Sequence, residues 1–228
     1  MLPQHGAPVS STSNRSAELR KRRTQQERSD EMRRRLSQAA YQVIAERGHS
    51  AFRVAAVAER AGVSQGAQLH HFATKESLTL AALEYALAHA SERTADLMAH
   101  GLDADADPIA LMIDDFRLFF MGDDFWVALD ITIDGSRNAE FSTEVRPLVS
   151  RYRAPVYARW VAILSENGWD RTAAERIVLV TSAMVSGLGM RSLWDDVASY
   201  LPAVLEDWRG AVAALWPREP LGSHNPQG

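Results

Sequence analysis

Gln65, Gln68 and His71 stand three residues apart in the run Ser64-Gln-Gly-Ala-Gln-Leu-His-His71. At helical pitch, side chains three apart lie on one face. A short helix that turns amides and imidazoles outward offers paired donors and acceptors, the chemistry that reads base edges in a major groove. Leu69 and Phe72, also three apart, are expected to point back to the core. Gln65, Gln68, His70 and His71, with the backbone near Gly66, are therefore the candidate base contacts. Arg53, Ser64, Thr74 and Lys75 flank them, and their hydroxyls and cations suit phosphate contacts, which position rather than specify.

The elements that would hold this surface are legible in the flanks. Val54, Val57, Ala58 and Ala61 recur at helical spacing, Gly62 supplies a turn, and Ser64 can cap the next helix. The pattern predicts a helix-turn-helix over about 53–72. Upstream, Met32, Leu36, Ala39, Ala40, Val43 and Ile44 form one stripe of a helix from Asp30 to Arg47, which Gly48 is placed to end. Arg33 to Arg35 read as its solvated face. Downstream, a fourth helix capped by Thr74 runs to about Ala99; its dipole and Lys75 could meet a phosphate.

From Asp30 to about Ala90 the chain resembles the N-terminal DNA-binding domain of the TetR family of transcriptional regulators. The resemblance lies in Ala58-Glu-Arg-Ala-Gly-Val-Ser64, Gly66, His70-His-Phe72 and Thr74-Lys-Glu-Ser-Leu78, in order and without gaps. It implies an all-α fold, with a three-helix helix-turn-helix domain over 30–90 and a larger helical ligand-binding and dimerisation domain over 91–228. The implied function is a ligand-responsive homodimeric repressor, released from double-stranded operator DNA by a small molecule, with no cofactor. Two positions depart from the family's pattern. Gln68-Leu69 stands where the family usually has Leu-Tyr, so an aromatic phosphate contact is missing. Gln68 either tucks its amide stem against the core or sits on a slightly rotated reading helix. Phe52-Arg53 stands where the second helix usually opens on Ser or Thr, leaving Ser50 as a candidate cap.

Charge is unevenly spread. Residues 1–75 hold 13 Lys+Arg against 6 Asp+Glu, while residues 76–228 hold 12 against 23, within a chain of net charge −4. A basic third on an acidic body fits a protein that offers one end to a polyanion. Residues 1–29, rich in Pro, Ser and Gln and carrying Arg20-Lys-Arg-Arg23, read as a disordered basic arm. The chain has no cysteine, which excludes disulfides, thiolate metal sites and thiol redox switching. The N-terminus has no signal-peptide core, and the most apolar run, Ile177 to Met190, is broken by Thr181, Ser182 and Ser186. The expectation is a cytoplasmic protein without a membrane partner.

Beyond residue 100, helices are predicted over 108–121, 123–134, 142–167, 170–191 and 201–216, between breaks near 103–107, Gly122, 135–138, Gly168 and 195–202. Pro147 and Pro155 are expected to kink the third or shift its start. Phe116, Arg117, Phe120, Trp126, Asp130, Tyr152 and Trp160 are the candidate pocket residues, aromatic walls with a few polar groups; most would serve equally as ordinary core. Segment 173–192 is apolar almost all round and must be buried. The family resemblance assigns it, with 201–216, to a two-fold dimer interface. No Gly-rich phosphate loop, metal-ligand spacing or catalytic triad is present. The adjacent pairs His70-His71, Asp114-Asp115, Asp123-Asp124 and Asp195-Asp196 face different ways on a helix, so an enzyme is not expected. The competing reading is a helical small-molecule-binding protein whose helix-turn-helix no longer reads DNA.

Overall fold

The computed structural model describes residues 11–101, 106–137 and 139–218. The expected loop around 103–107 and the first ten residues of the expected arm lie largely or wholly outside them. The described residues form nine α-helices and no strand: α1 Ser11–Arg47, α2 Val54–Ala61, α3 Gln65–His71, α4 Lys75–Gly101, α5 Pro108–Phe120, α6 Asp123–Gly135, α7 Ala139–Glu166, α8 Arg171–Arg191 and α9 Leu201–Leu215, with a single 3-10 turn at Val197–Ser199. The stripe Leu36, Ala39, Ala40, Val43 and Ile44 is buried, and α1 packs it against α2, α3 and α4. Helix α1 begins well before Asp30. Residues 11–29, expected as disordered arm, instead continue its backbone, because nothing between Ser11 and Asp30 breaks a helix: the stretch has no Pro or Gly.

The local reasons for the helix ends are concrete. Gly62 takes φ +65°, a left-handed conformation that costs a residue with a side chain about 1–2 kcal/mol. It thereby lets Val63 N–H donate to Ala58 O at 3.0 Å, a Schellman-type stop. Asp107 and Asp170 cap α5 and α8 through their carboxylates, and Pro108 takes the first position of α5. Helix α7 is continuous through Pro147 and Pro155, so neither shifts its start. Both prolines are exposed, where water can serve the carbonyls they orphan.

Helix α4 is the spine. It packs on α1 at one end and on α6 and α7 along its length, while α8 lies across α5 and α7. Gly189 of α8 permits that crossing, since a Cβ there would stand 2.5 Å from the Phe120 carbonyl oxygen. By length and composition α8 is apolar enough to cross a membrane, further than its Thr and Ser residues suggested. In the fold those groups are served locally: Thr181 Oγ1 donates to Ile177 O at 2.6 Å and accepts from Trp208 Nε1 at 2.9 Å. The expected full burial of α8 is not met within one chain. Ile177, Val178 and Val185 are buried, but Leu179 is 67% exposed, and Val180 and Met190 are open beside it. Leu193, Trp194 and, on α9, Leu215 are exposed as well.

Candidate nucleic-acid interface and effector region

Helix α3 is held from both ends. Ser64 Oγ accepts from Ala67 N at 3.2 Å, and Arg33 of α1 donates to His71 O at 2.9 Å while its guanidinium lies over the Phe72 ring at 4.6 Å. Arg35 donates to Ala61 O at 2.6 Å, tying α1 to the end of α2. Arg33 and Arg35 are exposed, as a solvated face requires, and they also staple the motif. Unfilled helix-end carbonyls attract guanidinium donors, a signal that needs three dimensions to see.

The face that α3 shows to solvent differs from the expectation by one residue. Gln65, Gly66 and His70 are exposed, His71 is half-buried, and Gln68 is fully buried. Gln68 Nε2 donates to Phe72 O at 2.9 Å, while its Oε1 has no partner. Leu69 is the residue turned outward, 54% exposed. Gln68 is thus removed from the groove-facing set. It is buried in the core, and its amide nitrogen closes the end of α3.

Around this face, Arg53, Ser64, Thr74 and Lys75 are all exposed. Arg53 is the residue before α2, but no side chain caps that helix; its Nη1 instead donates to Ser50 O and Phe52 O, so Ser50 is not the cap. Thr74 and Ser77 cap α4 reciprocally: Ser77 N donates to Thr74 Oγ1 at 3.0 Å and Thr74 N to Ser77 Oγ at 3.3 Å. Lys75 Nζ lies 5.8 Å from the Phe52 ring centre, with its charge free to reach outward. Burial, and then the charges of His70 and Arg33, push the His71 imidazole below its ordinary value.

The candidate pocket residues fall into three places. Phe116, Phe120 and Trp160 are buried with Phe119 between α5 and α7, and the half-buried Tyr157 stands edge-on to Phe116. Trp160 Nε1 donates to Asp115 Oδ2 at 2.7 Å, and Thr94 of α4 donates to its other oxygen at 2.5 Å. Arg117 is half-exposed beside Asp114, and Tyr152 donates to Glu84 at 3.2 Å on the surface between α7 and α4. Asp130 belongs to the contact between α6 and the loop after α1: its Oδ2 accepts from His49 N at 2.5 Å, and it borders a cavity with Trp126, Ile44 and Gly48. So four of the seven lie away from the buried aromatic group, because a window of sequence mixes all faces of a helix.

Two residues were missed. His49, buried in the α1–α2 loop, sets its Nδ1 2.8 Å from Asp134 and its Nε2 3.3 Å from Thr79 Oγ1. Arg153 is buried among the aromatic rings, with its guanidinium 3.9 Å from the Phe119 ring centre. The spacing Arg153, Tyr157, Trp160 on one helical face was the available signal.

A basic helix-turn-helix surface on an all-helical body narrows the identity, and comparison with known proteins decides it. Residues 36–82 match the model of bacterial regulatory proteins of the tetR family. The HTH-type transcriptional regulator CymR of Pseudomonas putida is 40% identical over 174 residues, covering 76% of this chain and 85% of CymR. The chain belongs to the TetR family. It is a DNA-binding transcriptional regulator rather than an enzyme. Solved structures agree on the fold. A transcriptional regulator of Rhodococcus sp. Rha1 superposes with a TM-score of 0.62 at 22% identity, over 82% of this chain and 99% of that one. A regulator of Saccharomonospora viridis, in complex with choline, gives 0.64 at 19% identity, over 84% and 100%.

Proposed function

We propose that the protein is a homodimeric repressor that acts in the cytoplasm, holds an operator through two copies of α3, and leaves it when a small molecule enters the helical body. The observation that carries this reading is the exposed side of α3: Gln65, Leu69 and His70 face outward, and Arg53, Thr74 and Lys75 of the flanking segments are exposed as well. Gln65 supplies a carboxamide for a base edge, and Leu69 an apolar contact of the kind a thymine methyl accepts. Lys75 and the capped start of α4 supply phosphate contacts.

Pairing is supported by the open apolar face of α8 and α9. Leu179, Val180, Met190 and Leu215 are exposed, and a Cβ on Gly187 would meet nothing within 4 Å, so a second copy could approach closely there. One short helix reads too few bases for a useful specificity ratio. Two, about 34–36 Å apart, read half-sites one helical turn apart. A gel shift with the DNA upstream of the protein's own gene tests the reading. A specific shift at moderate salt, with the stoichiometry of two chains per site, is expected. Absence of any specific shift would favour a helical binding protein that no longer reads DNA.

A further inference from the structure

Arg153 is 6% exposed, and none of its three nitrogens has a hydrogen-bond partner. No carboxylate of the described residues lies within ion-pairing distance of it. The buried carboxylate of the facing helix α5, Asp115, is committed to Trp160 and Thr94. Around the guanidinium stand rings: Phe119 at 3.9 Å, Tyr157 at 5.2 Å and Phe120 at 5.8 Å. Ring faces stabilise the plane of the cation, but they accept nothing from its five edge donors. A charge taken out of water needs both a counter-charge and acceptors. Here the protein provides neither.

The geometry points to Arg153 as the anchor for the carboxylate of a small organic acid, whose apolar body lies against the rings of α5 and α7. A planar carboxylate fits the edge of a guanidinium with two parallel hydrogen bonds. The surrounding rings favour an aromatic or aliphatic body over a sugar or a peptide. This rests on the reading of the protein as a ligand-responsive regulator, and adds the chemical class of the ligand. The choline bound by the S. viridis regulator is a cation, so the shared fold does not supply this class; the unpaired arginine does.

The test compares matched pairs of probes: benzoate with benzamide, phenylacetate with phenylacetamide, octanoate with octanamide. Binding to the intact protein is followed by thermal shift and calorimetry. At least one acid should bind ten or more times tighter than its amide, and Arg153→Met should abolish that preference. The variant also keeps the proposal testable without ligand: removing an unpaired buried charge should raise the Tm of the free protein. Acids and amides binding alike, no acid binding at all, or Arg153→Met retaining the preference would each overturn the assignment. A lower Tm for free Arg153→Met would overturn it as well, because it would mean the guanidinium is already satisfied. Failure of the broader reading looks different: there, a library of neutral, cationic and anionic compounds would leave the DNA complex intact.

Discussion

Asp130 offers the clearest perturbation, because a single side chain of the body holds the backbone of the DNA-binding domain. Its Oδ2 accepts from His49 N at 2.5 Å, at the residue that follows the α1 stop at Gly48. In Asp130→Ala that N–H loses its acceptor. His49 is 6% exposed, and although the cavity beside Asp130 admits water, the orphaned donor keeps part of its desolvation cost, about 1–3 kcal/mol. At the middle of that range, and with 1 kcal/mol shifting Tm by about 2–4 °C in a chain of this size, the melting point should fall by about 4–8 °C. Asp130→Asn keeps an acceptor oxygen and loses only the charge assistance, so its loss should be less than half as large. Calorimetry of both variants, with and without operator DNA, measures the effect. Two melts indistinguishable from the native protein would show that the loop is held by packing alone.

Gln65→Ala should cost about 1–3 kcal/mol at one base position and little elsewhere, read by competition with single-substitution operators; a loss equal at all positions would make it a phosphate contact. Lys75→Ala should weaken every sequence alike and lower the salt slope by about one, whereas a selective change would remove it from the phosphate set. Leu179→Glu puts a charge on the open α8 face and should yield monomers in ultracentrifugation with little change in Tm; an intact dimer would move the interface elsewhere. His71, held below its ordinary pKa by burial and then by His70 and Arg33, contributes stability above about pH 6.5 that is lost as the pH falls through its folded value. Nearby phosphates would draw its pKa back up, so operator affinity should rise as the pH falls below about 6.5, and the rise should shrink in His71→Gln. An identical pH slope in that variant would place His71 away from DNA.

Helix number and type were legible because the apolar stripes, caps and glycines each act within one turn of the chain. The stripe from Leu36 to Ile44 and the Gly62 turn needed no knowledge of the rest. The reading face was legible only to within one residue. Gln68 and Leu69 are neighbours on a helix of seven residues, and polarity alone sent the amide outward. What decided the matter was a local use for the amide, its bond to Phe72 O, which hydrophobicity patterns do not encode. The same limit hid Arg33 and Arg35, whose partners are carbonyls from other helices. In the body, sequence proximity grouped Arg117 and Asp130 with Phe116 and Phe120, although Asp130 serves the joint with the DNA-binding domain. The spacing of Arg153, Tyr157 and Trp160 put them on one face of α7, but whether that face is buried depends on which side of α7 meets α5.

Helix α6 connects these two places. At its start Phe125 packs against Phe119 and Phe120, with ring centres 5.7 and 5.1 Å apart, on the same rings that border Arg153. Toward its end Asp130 and Asp134 hold His49. Thirteen helical residues span about 20 Å, and such a segment moves as a rod. A ligand that displaces the Phe119–Phe120 pair therefore has a mechanical route to the α1–α2 loop and thence to α3. Helix α4 offers a second route, since its Thr94 meets Asp115 and its Thr79 meets His49. Either rod can carry only the ligand's differential affinity for the two states. The ratio of operator Kd with and without ligand separates them. If α6 carries the coupling, Asp130→Ala should bring that ratio toward one while ligand affinity in the absence of DNA changes little. A ratio as large as the native one would assign the coupling to α4, and Thr94→Val would then be the variant that loses it.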